Sequence, residues 1–174
     1  MDKSRLNILF LDIDGVLNTP FDDEKTPGGD TGISARKLEA LGNLVAKFDL
    51  DIVLTSSWRQ DIIEESKDGI YLNEQLNKIG TAVYDVTKYI SPSERAVEIL
   101  TWIKEHYNEI NDLVILDDQD FDFNKYANLK KRLVKCNIHN GKDKFGGLLD
   151  CRCASEEPTE FTHNIVDFLE SLRK

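Results

Sequence analysis

The sequence predicts an α/β protein in which a central parallel sheet is covered by helices on both faces. Short apolar runs without a helical period alternate along the chain with stretches whose apolar residues recur at helical spacing. The short runs indicate strands buried on both faces, and their alternation with helices is typical of parallel strands joined by crossover helices. At 174 residues, the chain is expected to form one domain, residues 1–174, around a single core.

Five apolar runs are predicted to be strands, and three of them stop abruptly at polar side chains. The predicted strands are residues 6–11, 51–54, 82–86, 113–116 and 132–136. The first run stops at Asp12, the second at Thr55 and the fourth at Asp117. The position of these side chains, directly after buried strands, makes the carboxyl edge of the sheet the first place to look for a site.

Helices are expected between the strands, and the sequence marks several of their boundaries. Ser34 is a suitable N-cap for a first long helix. After the second strand, a helix is expected to begin near Ser57 and to be broken at residues 67–69, before a further short helix. Pro92 favours the start of the next helix, with the preceding serine as its cap. Residues 160–172 carry the apolar stripe of a closing helix.

The composition is that of an ordinary globular protein, with 40% hydrophobic and 31% charged residues. Lys and Arg number 22 against 32 Asp and Glu, and the net charge of -10 argues against a broadly nucleic-acid-binding or membrane-binding surface. The basic residues clustered between Lys125 and Lys135 are interpreted as a solvated helix and strand edge. No apolar run approaches the roughly 18 residues of a membrane span. Residues 1–5 lack signal-peptide features, so a cytoplasmic protein is expected.

Oxygen-bearing side chains follow three of the predicted strands. They are Asp12 and Asp14, Thr55 and Ser56, and Asp117 and Asp118. Because the carboxyl ends of parallel strands form a common crevice, these groups are expected to meet there. Carboxylates that lie close together repel and raise one another's pKa, and a divalent cation removes this conflict. Mg²⁺ prefers oxygen ligands and commonly binds carboxylates together with a substrate phosphate.

The segment that follows the first strand, residues 12–17 (DIDGVL), resembles the first motif of the haloacid-dehalogenase superfamily. Thr55 stands where the second motif has a hydroxyl, Arg95 where the third has a cation, and residues 117–118 where the fourth has its acids. Residues 55–59 (TSSWR), with the surroundings of Arg95, resemble a narrower group. That group is the domain of this type found in Swiss Army Knife RNA repair proteins and in small relatives.

The resemblance implies a three-layer α/β/α, Rossmann-like fold and a phosphatase that depends on Mg²⁺. Asp12 is implied to be the nucleophile, which forms an aspartyl-phosphate and so divides the hydrolysis into two easier steps. Asp14 is implied to protonate the leaving oxygen and then to deprotonate the attacking water. Gly15 would let the chain turn sharply after the strand.

The resemblance also implies which residues hold the phosphate and the metal. Thr55 and Ser56 would bind phosphoryl oxygens, and Arg95 would neutralise their charge. Most members of the superfamily have Lys at the Arg95 position, so Lys88 is an alternative for this cation. The metal ligands would be Asp12, Asp118 and the backbone carbonyl of Asp14, with Asp117 in support.

The expected site is open, because the chain has no room for a large cap. Residues 18–33 are rich in turn-forming residues and suffice only for a small flap. An open site suits a large phosphorylated substrate, such as an RNA or DNA terminus or a phosphoprotein. A nucleotide or small-metabolite phosphatase is one alternative, and a non-catalytic binding module is another. The presence of both Asp12 and Asp14 argues against the binding module.

Several other side chains have more than one interpretation. The three cysteines, Cys136, Cys151 and Cys153, could form a zinc site with His139, but the spacing is not that of a common zinc motif, so idle thiols are favoured. The tryptophans Trp58 and Trp102 are expected to pack in the core rather than on a substrate. The remaining question is Arg59, which could bind a phosphate or pair with Glu64 or another acid.

Overall fold

The computed structural model describes residues 4–138 and 146–173. The strands within them are β1 (Leu6–Leu11), β2 (Leu50–Leu54), β3 (Val83–Val86), β4 (Ile110–Asp117), β5 (Leu133–Asn137) and β6 (Gly147–Cys153). They form one sheet in the order β3-β2-β1-β4-β5-β6. The first five strands are parallel, and β6 runs antiparallel to β5. The predicted parallel sheet is thus confirmed, with an antiparallel edge strand that the sequence did not predict.

The helices cover both faces of this sheet. In the described residues they are α1 (Ala35–Phe48), α2 (Arg59–Glu64), α3 (Lys67–Lys78), α4 (Arg95–His106), α5 (Ala127–Lys130) and α6 (Glu160–Ser171). The apolar side chains of α1, α3 and α6 pack in one core layer and those of α4 and α5 in a second layer. The predicted α/β/α architecture is confirmed. None of the helices described is long and apolar enough to cross a membrane.

The strand β1 shows how one short sequence serves both core layers. Successive side chains of a strand point to opposite faces of the sheet. Leu9 and Leu11 accordingly belong to the layer under α1, α3 and α6, whereas Ile8 and Phe10 belong to the layer under α4 and α5. All four are fully buried, which explains why the run is continuously apolar rather than alternating.

Two helix boundaries differ from the predictions. Residues 67–69, expected to break a helix, form the first turn of α3, because the Ser66 hydroxyl accepts a hydrogen bond from the backbone N–H of Gly69. The start predicted at Pro92 is wrong, since α4 begins at Arg95. Its first turn is capped by Asp122 from another part of the chain, which accepts hydrogen bonds from the N–H groups of Ala96 and Val97. A remote cap of this kind leaves no local signal in the sequence.

The segment between β1 and α1 forms a flap built from turns and isolated bridges. Two contacts tie it to the helices. The Lys37 ammonium of α1 lies 2.8 Å from a carboxylate oxygen of Asp22, and both side chains are buried. Asp68 of α3 accepts hydrogen bonds from the Thr26 hydroxyl and from the N–H of Gly28. The flap is therefore anchored at its base and near its tip.

Trp102 packs in the core, as expected. Its ring meets Phe10 edge to face at a centroid distance of 5.4 Å, and its indole N–H donates to Asp85 over 2.8 Å. We predict that Trp102→Ala lowers the free energy of unfolding by about 3–5 kcal/mol, because it opens a cavity between α4 and the sheet. Urea denaturation followed by circular dichroism measures this. Trp102→Phe, which keeps a ring, should lose clearly less, and equal losses in both variants would contradict the packing role.

Candidate active site at the carboxyl edge of the sheet

The ends of three neighbouring strands bring the predicted site residues together. Asp12 follows β1 and its N–H donates to the carbonyl of Leu116 in β4, at 3.0 Å. Thr55 follows β2 and its N–H donates to the carbonyl of Leu11, at 2.9 Å. These bonds extend the sheet ladder by one residue beyond each strand. They fix the backbone from which the two side chains project.

Three carboxylates form a compact cluster at this edge. Asp12, Asp117 and Asp118 each offer a carboxylate oxygen, and these oxygens lie within 4.8 Å of one another. Oδ1 of Asp118 is buried and has no hydrogen-bond partner within the described part of the chain. An unsatisfied buried oxygen of this kind is costly. A hard divalent cation such as Mg²⁺ would satisfy it, so the donor set fits the metal that the sequence implied.

Burial, together with the neighbouring carboxylates, raises the pKa of two of these carboxyl groups. Burial raises the pKa of Asp12 from 3.8 to about 7, against the opposing effect of the Arg95 guanidinium, and the Asp118 carboxylate adds to the increase. Burial, followed by the charge of Asp12, also raises the pKa of Asp117 well above its usual value. A bound cation would favour the ionised forms of these groups. The protein alone therefore favours the protonated forms of Asp12 and Asp117, and a bound cation would shift both toward their ionised forms.

Arg95, the first residue of α4, is the cation that faces the carboxylates. One of its guanidinium nitrogens lies 3.1 Å from Asp117, 3.2 Å from the Thr55 hydroxyl and 3.6 Å from Asp12. Lys88, the alternative, is 74% exposed in its side chain and pairs with Glu105. The structure thus places Arg95, and not Lys88, beside the carboxylates.

Asp14 lies on the rim of the site, where two side chains orient its carboxylate. Its oxygens accept hydrogen bonds from the Asn18 amide at 3.0 Å and from the Trp58 indole N–H at 3.1 Å. Trp58 is buried as expected, yet it also supports a site residue. Asn18, which sequence reasoning missed, additionally accepts from the N–H of Gly15. Its signal in the sequence was an amide side chain four residues after Asp14, at the start of the turn-rich segment.

Gly15 allows the close approach of the two motifs. Its φ of +83° lies in the left-handed region, which glycine adopts without steric cost. A Cβ atom at this position would overlap the Asp118 carboxylate. Glycine is thus required here by both the backbone turn and the neighbouring acid.

The three hydroxyl residues at positions 55–57 lie in different environments. Thr55 is fully buried and its hydroxyl accepts from Arg95. The Ser56 hydroxyl is also buried, and it accepts from the N–H of Trp58, within the turn that begins α2. Ser57, which the sequence did not single out for phosphate binding, is exposed and lines the cleft. The side chain of Ser57 is therefore the more accessible of the two serines.

The cleft above the carboxylates has a volume of about 400 Å³. Residues from the strand ends and from the flap line it together: Asp12, Asp14, Gly15, Asn18, Thr19, Pro20, Thr31, Ser57, Arg95, Asp118, Gln119, Phe121 and Ile138. The flap thus forms one wall of the cleft. The flap is the whole segment between β1 and α1, so no larger element in that segment covers the cleft.

Arg59 pairs with a buried acid, Glu98. The sequence had left open whether this arginine binds a phosphate or pairs with an acid. Its guanidinium makes two hydrogen bonds to Glu98, at 2.7 and 3.1 Å, and one to the Thr87 hydroxyl at 2.8 Å. It also donates to the backbone carbonyl of Thr55. The partner is an acid of α4 rather than Glu64. Arg59 therefore joins the end of β2 to α4.

The cysteines show no disulfide. The sulfurs of Cys136 and Cys151 lie 3.5 Å apart across β5 and β6, and both side chains are buried. The hydrogen bond with Cys151, together with burial, raises the pKa of the Cys136 thiol well above its usual value, which makes it unreactive. His139, the fourth residue of the alternative zinc site, lies outside the described residues.

Three of the five basic residues between Lys125 and Lys135 lie beside acids. Arg132 pairs with Asp112 and Lys135 pairs with Asp120. Lys131 lies 3.8 Å from Glu157. Acids that are distant in sequence therefore offset part of this positive charge.

The raised pKa of Asp12 predicts a pH dependence of stability in the metal-free protein. Since the folded-state value of about 7 exceeds the ordinary 3.8, this carboxyl contributes stability below about pH 4 that is lost as the pH rises through 7. We expect the free energy of unfolding of the natural protein to fall over this range, relative to Asp12→Asn, by on the order of a few kcal/mol. Urea denaturation in the presence of a chelator measures it. Parallel pH profiles for the two proteins would contradict the prediction.

Comparison with known proteins identifies the family of this chain. Residues 8–142 match the family model described as the HAD domain in Swiss Army Knife RNA repair proteins. A crystal structure of a hypothetical protein from Xanthomonas campestris is similar at a TM-score of 0.37 and 14% identity, over 70% of this chain and 59% of that one. No curated protein matches significantly. With its family match spanning most of the chain, this protein belongs to the haloacid-dehalogenase superfamily, within the family of the HAD domain in Swiss Army Knife RNA repair proteins.

Proposed function

We propose that this protein is a Mg²⁺-dependent phosphomonoesterase in which Asp12 takes the phosphoryl group. The family suggests a phosphatase-type activity. The observation that carries the finer proposal is the cluster of Asp12, Asp117 and Asp118, with its unsatisfied buried oxygen and with Arg95 beside it. A cluster of acids next to one guanidinium suits a site that holds a metal and a phosphate at the same time.

In the proposed reaction, a carboxylate oxygen of Asp12 attacks phosphorus and the ester P–O bond breaks. Asp14 gives its proton to the leaving oxygen, so the alcohol departs neutral. Asp14 then takes a proton from water, which attacks the aspartyl-phosphate and releases inorganic phosphate. Asp12 is regenerated as a carboxylate. The hydrogen bonds from Trp58 and Asn18 to Asp14 support this role, because they fix the direction in which its carboxyl group points.

In the proposed reaction, Arg95 and the metal would stabilise the negative charge on the phosphoryl oxygens. The planar guanidinium of Arg95 suits the oxygens of a phosphoryl group, and its contacts with Thr55 and Asp117 hold it over the cleft. Asp12, Asp118 and the backbone carbonyl of Asp14 would hold Mg²⁺, with Asp117 in support. When bound, Mg²⁺ supplies positive charge that offsets the acids and polarises phosphoryl oxygens.

The open cleft favours a large substrate, such as an RNA or DNA terminus or a phosphoprotein. The family description, which refers to RNA repair proteins, favours the nucleic-acid end. A nucleotide or small-metabolite phosphatase is the second candidate, because the cleft of about 400 Å³ also suits a ligand of that size. Turnover of phosphorylated oligonucleotides compared with that of free nucleotides separates the two.

The catalytic role of Asp12 predicts that Asp12→Asn abolishes phosphatase activity. With Mg²⁺ and an aryl phosphate, release of the aryl alcohol should fall to the background rate, because the amide is a poor nucleophile. Asp167→Asn provides a matched control, since Asp167 is an exposed residue of α6. Equal, background-level turnover in the natural protein and in Asp12→Asn would instead favour a non-catalytic binding module.

Asp14 is proposed as the general acid and base, and Asp118 as a metal ligand. Their asparagine variants should therefore differ in whether Mg²⁺ still stabilises the protein. Asp14→Asn should slow turnover by roughly 10²–10⁴-fold but keep the rise in melting temperature caused by Mg²⁺, since only its backbone carbonyl is assigned to the metal. Asp118→Asn should lose that rise, because it removes a ligand carboxylate. Thermal unfolding with and without Mg²⁺ measures the difference. A lost Mg²⁺ effect in Asp14→Asn would contradict the assignment.

A further inference from the structure

We propose that a pocket next to the active-site cleft binds the base of a nucleotide whose phosphate lies at Asp12. The inference rests on the proposed function and specifies its substrate class. The pocket has a volume of about 380 Å³. Side chains from the start of α2, from the loop before α4 and from the loop after β4 form its walls, among them Ser57, Arg59, Tyr89, Pro92, Arg95 and Phe121.

This side pocket adjoins the active-site cleft. Ser57, Arg95 and Phe121 line both of them. A phosphate held beside Arg95 would therefore lie next to both spaces, and the rest of its molecule could extend toward the side pocket. The side pocket thus lies where it could bind the part of the substrate that is next to the reacting ester.

Two aromatic rings, those of Tyr89 and Phe121, line the side pocket. Tyr89 is 63% exposed, so much of its ring is open to a ligand. The guanidinium of Arg59 lies 5.3 Å from the Tyr89 ring centroid, and that of Arg95 lies 4.7 Å from the Phe121 ring centroid. These cation–π contacts fix the orientation of both rings. A ring that is oriented in advance stacks on a flat ligand at a lower entropic cost.

The backbone of Phe121 provides an independent indication of function. Its φ of +39° lies in the left-handed region, which is rare and costly for a bulky residue. The turn that contains it is held by a hydrogen bond from the N–H of Phe123 to the carbonyl of Asp120 and by the Asp122 cap on α4. Strain of this kind persists where the surrounding structure enforces it, and it concentrates at ligand sites.

The charges in the side pocket favour a neutral, flat ligand. Arg59 is paired with Glu98 through two hydrogen bonds, and Arg95 is engaged by Asp117. Little positive charge is left for a second phosphate. Hydroxyl and amide groups such as those of Ser57 and Gln60 stand at the edge. Aromatic faces together with polar edges match a nucleobase, and stacking of this type accepts any base sequence.

The test measures binding rather than turnover, so it does not depend on catalysis. Isothermal titration of Asp12→Asn protein with Mg²⁺ compares adenosine 5′- and 3′-monophosphate with ribose 5-phosphate, which lacks the base. We expect at least one nucleotide to bind about ten-fold more tightly than ribose 5-phosphate, the size of effect that one stacked base provides. Adding Tyr89→Ala should reduce this preference to below about three-fold, whereas Tyr89→Phe should keep it.

Tyr84→Ala is the matched control, because Tyr84 is an exposed tyrosine that does not line the side pocket; it should leave the preference unchanged. A 5′- or 3′-phosphorylated oligonucleotide in place of the mononucleotide distinguishes a nucleic-acid end from a free nucleotide. Equal affinities with and without the base, a preference that survives Tyr89→Ala, or tighter binding of a phosphotyrosine peptide would overturn the inference. The aryl phosphate comparison of the natural protein with Asp12→Asn reports on the proposed function separately.

Discussion

The concentration of buried negative charge at one edge of the sheet is the constraint on which the rest of this site depends. Carboxylate oxygens of Asp12, Asp117 and Asp118 lie within 4.8 Å of one another. Burial, and then the neighbouring charges, raise the pKa values of Asp12 and Asp117. One guanidinium, that of Arg95, partly offsets this negative charge. The fold tolerates this arrangement because the apolar strands that carry the acids are buried on both faces and fix their positions.

Several contacts around Arg95 serve to hold this single positive charge in place. Asp122 caps the helix that begins with it, and Glu98 lies one turn further along the same helix, 3.9 Å from its guanidinium. Glu98 is in turn paired with Arg59. Alternating acids and bases thus extend from the carboxylate cluster through Arg95 and Glu98 of α4 to Arg59 at the start of α2. Such a network distributes the cost of the buried charges over several partners.

The sequence predicted those parts of the molecule that depend on local pattern. Strand β1 and Asp12 were recognisable because a buried parallel strand is continuously apolar and ends abruptly at a polar residue. Arg95 was found through the order of the motifs. The start of α4 was misplaced, because its cap comes from Asp122 in another segment. Similarly, the partner of Arg59 is 39 residues away, a separation at which one sequence carries no pairing signal.

The loop after β4 contains two adjacent residues with different tasks. Phe121 forms a wall shared by the cleft and the neighbouring pocket, and Asp122 holds the first turn of α4. Both residues belong to the same turn, which is closed by the hydrogen bond from the N–H of Phe123 to the carbonyl of Asp120. The backbone of that one turn therefore sets the position of a cleft wall and, through Asp122, the anchoring of the helix whose first residue is Arg95.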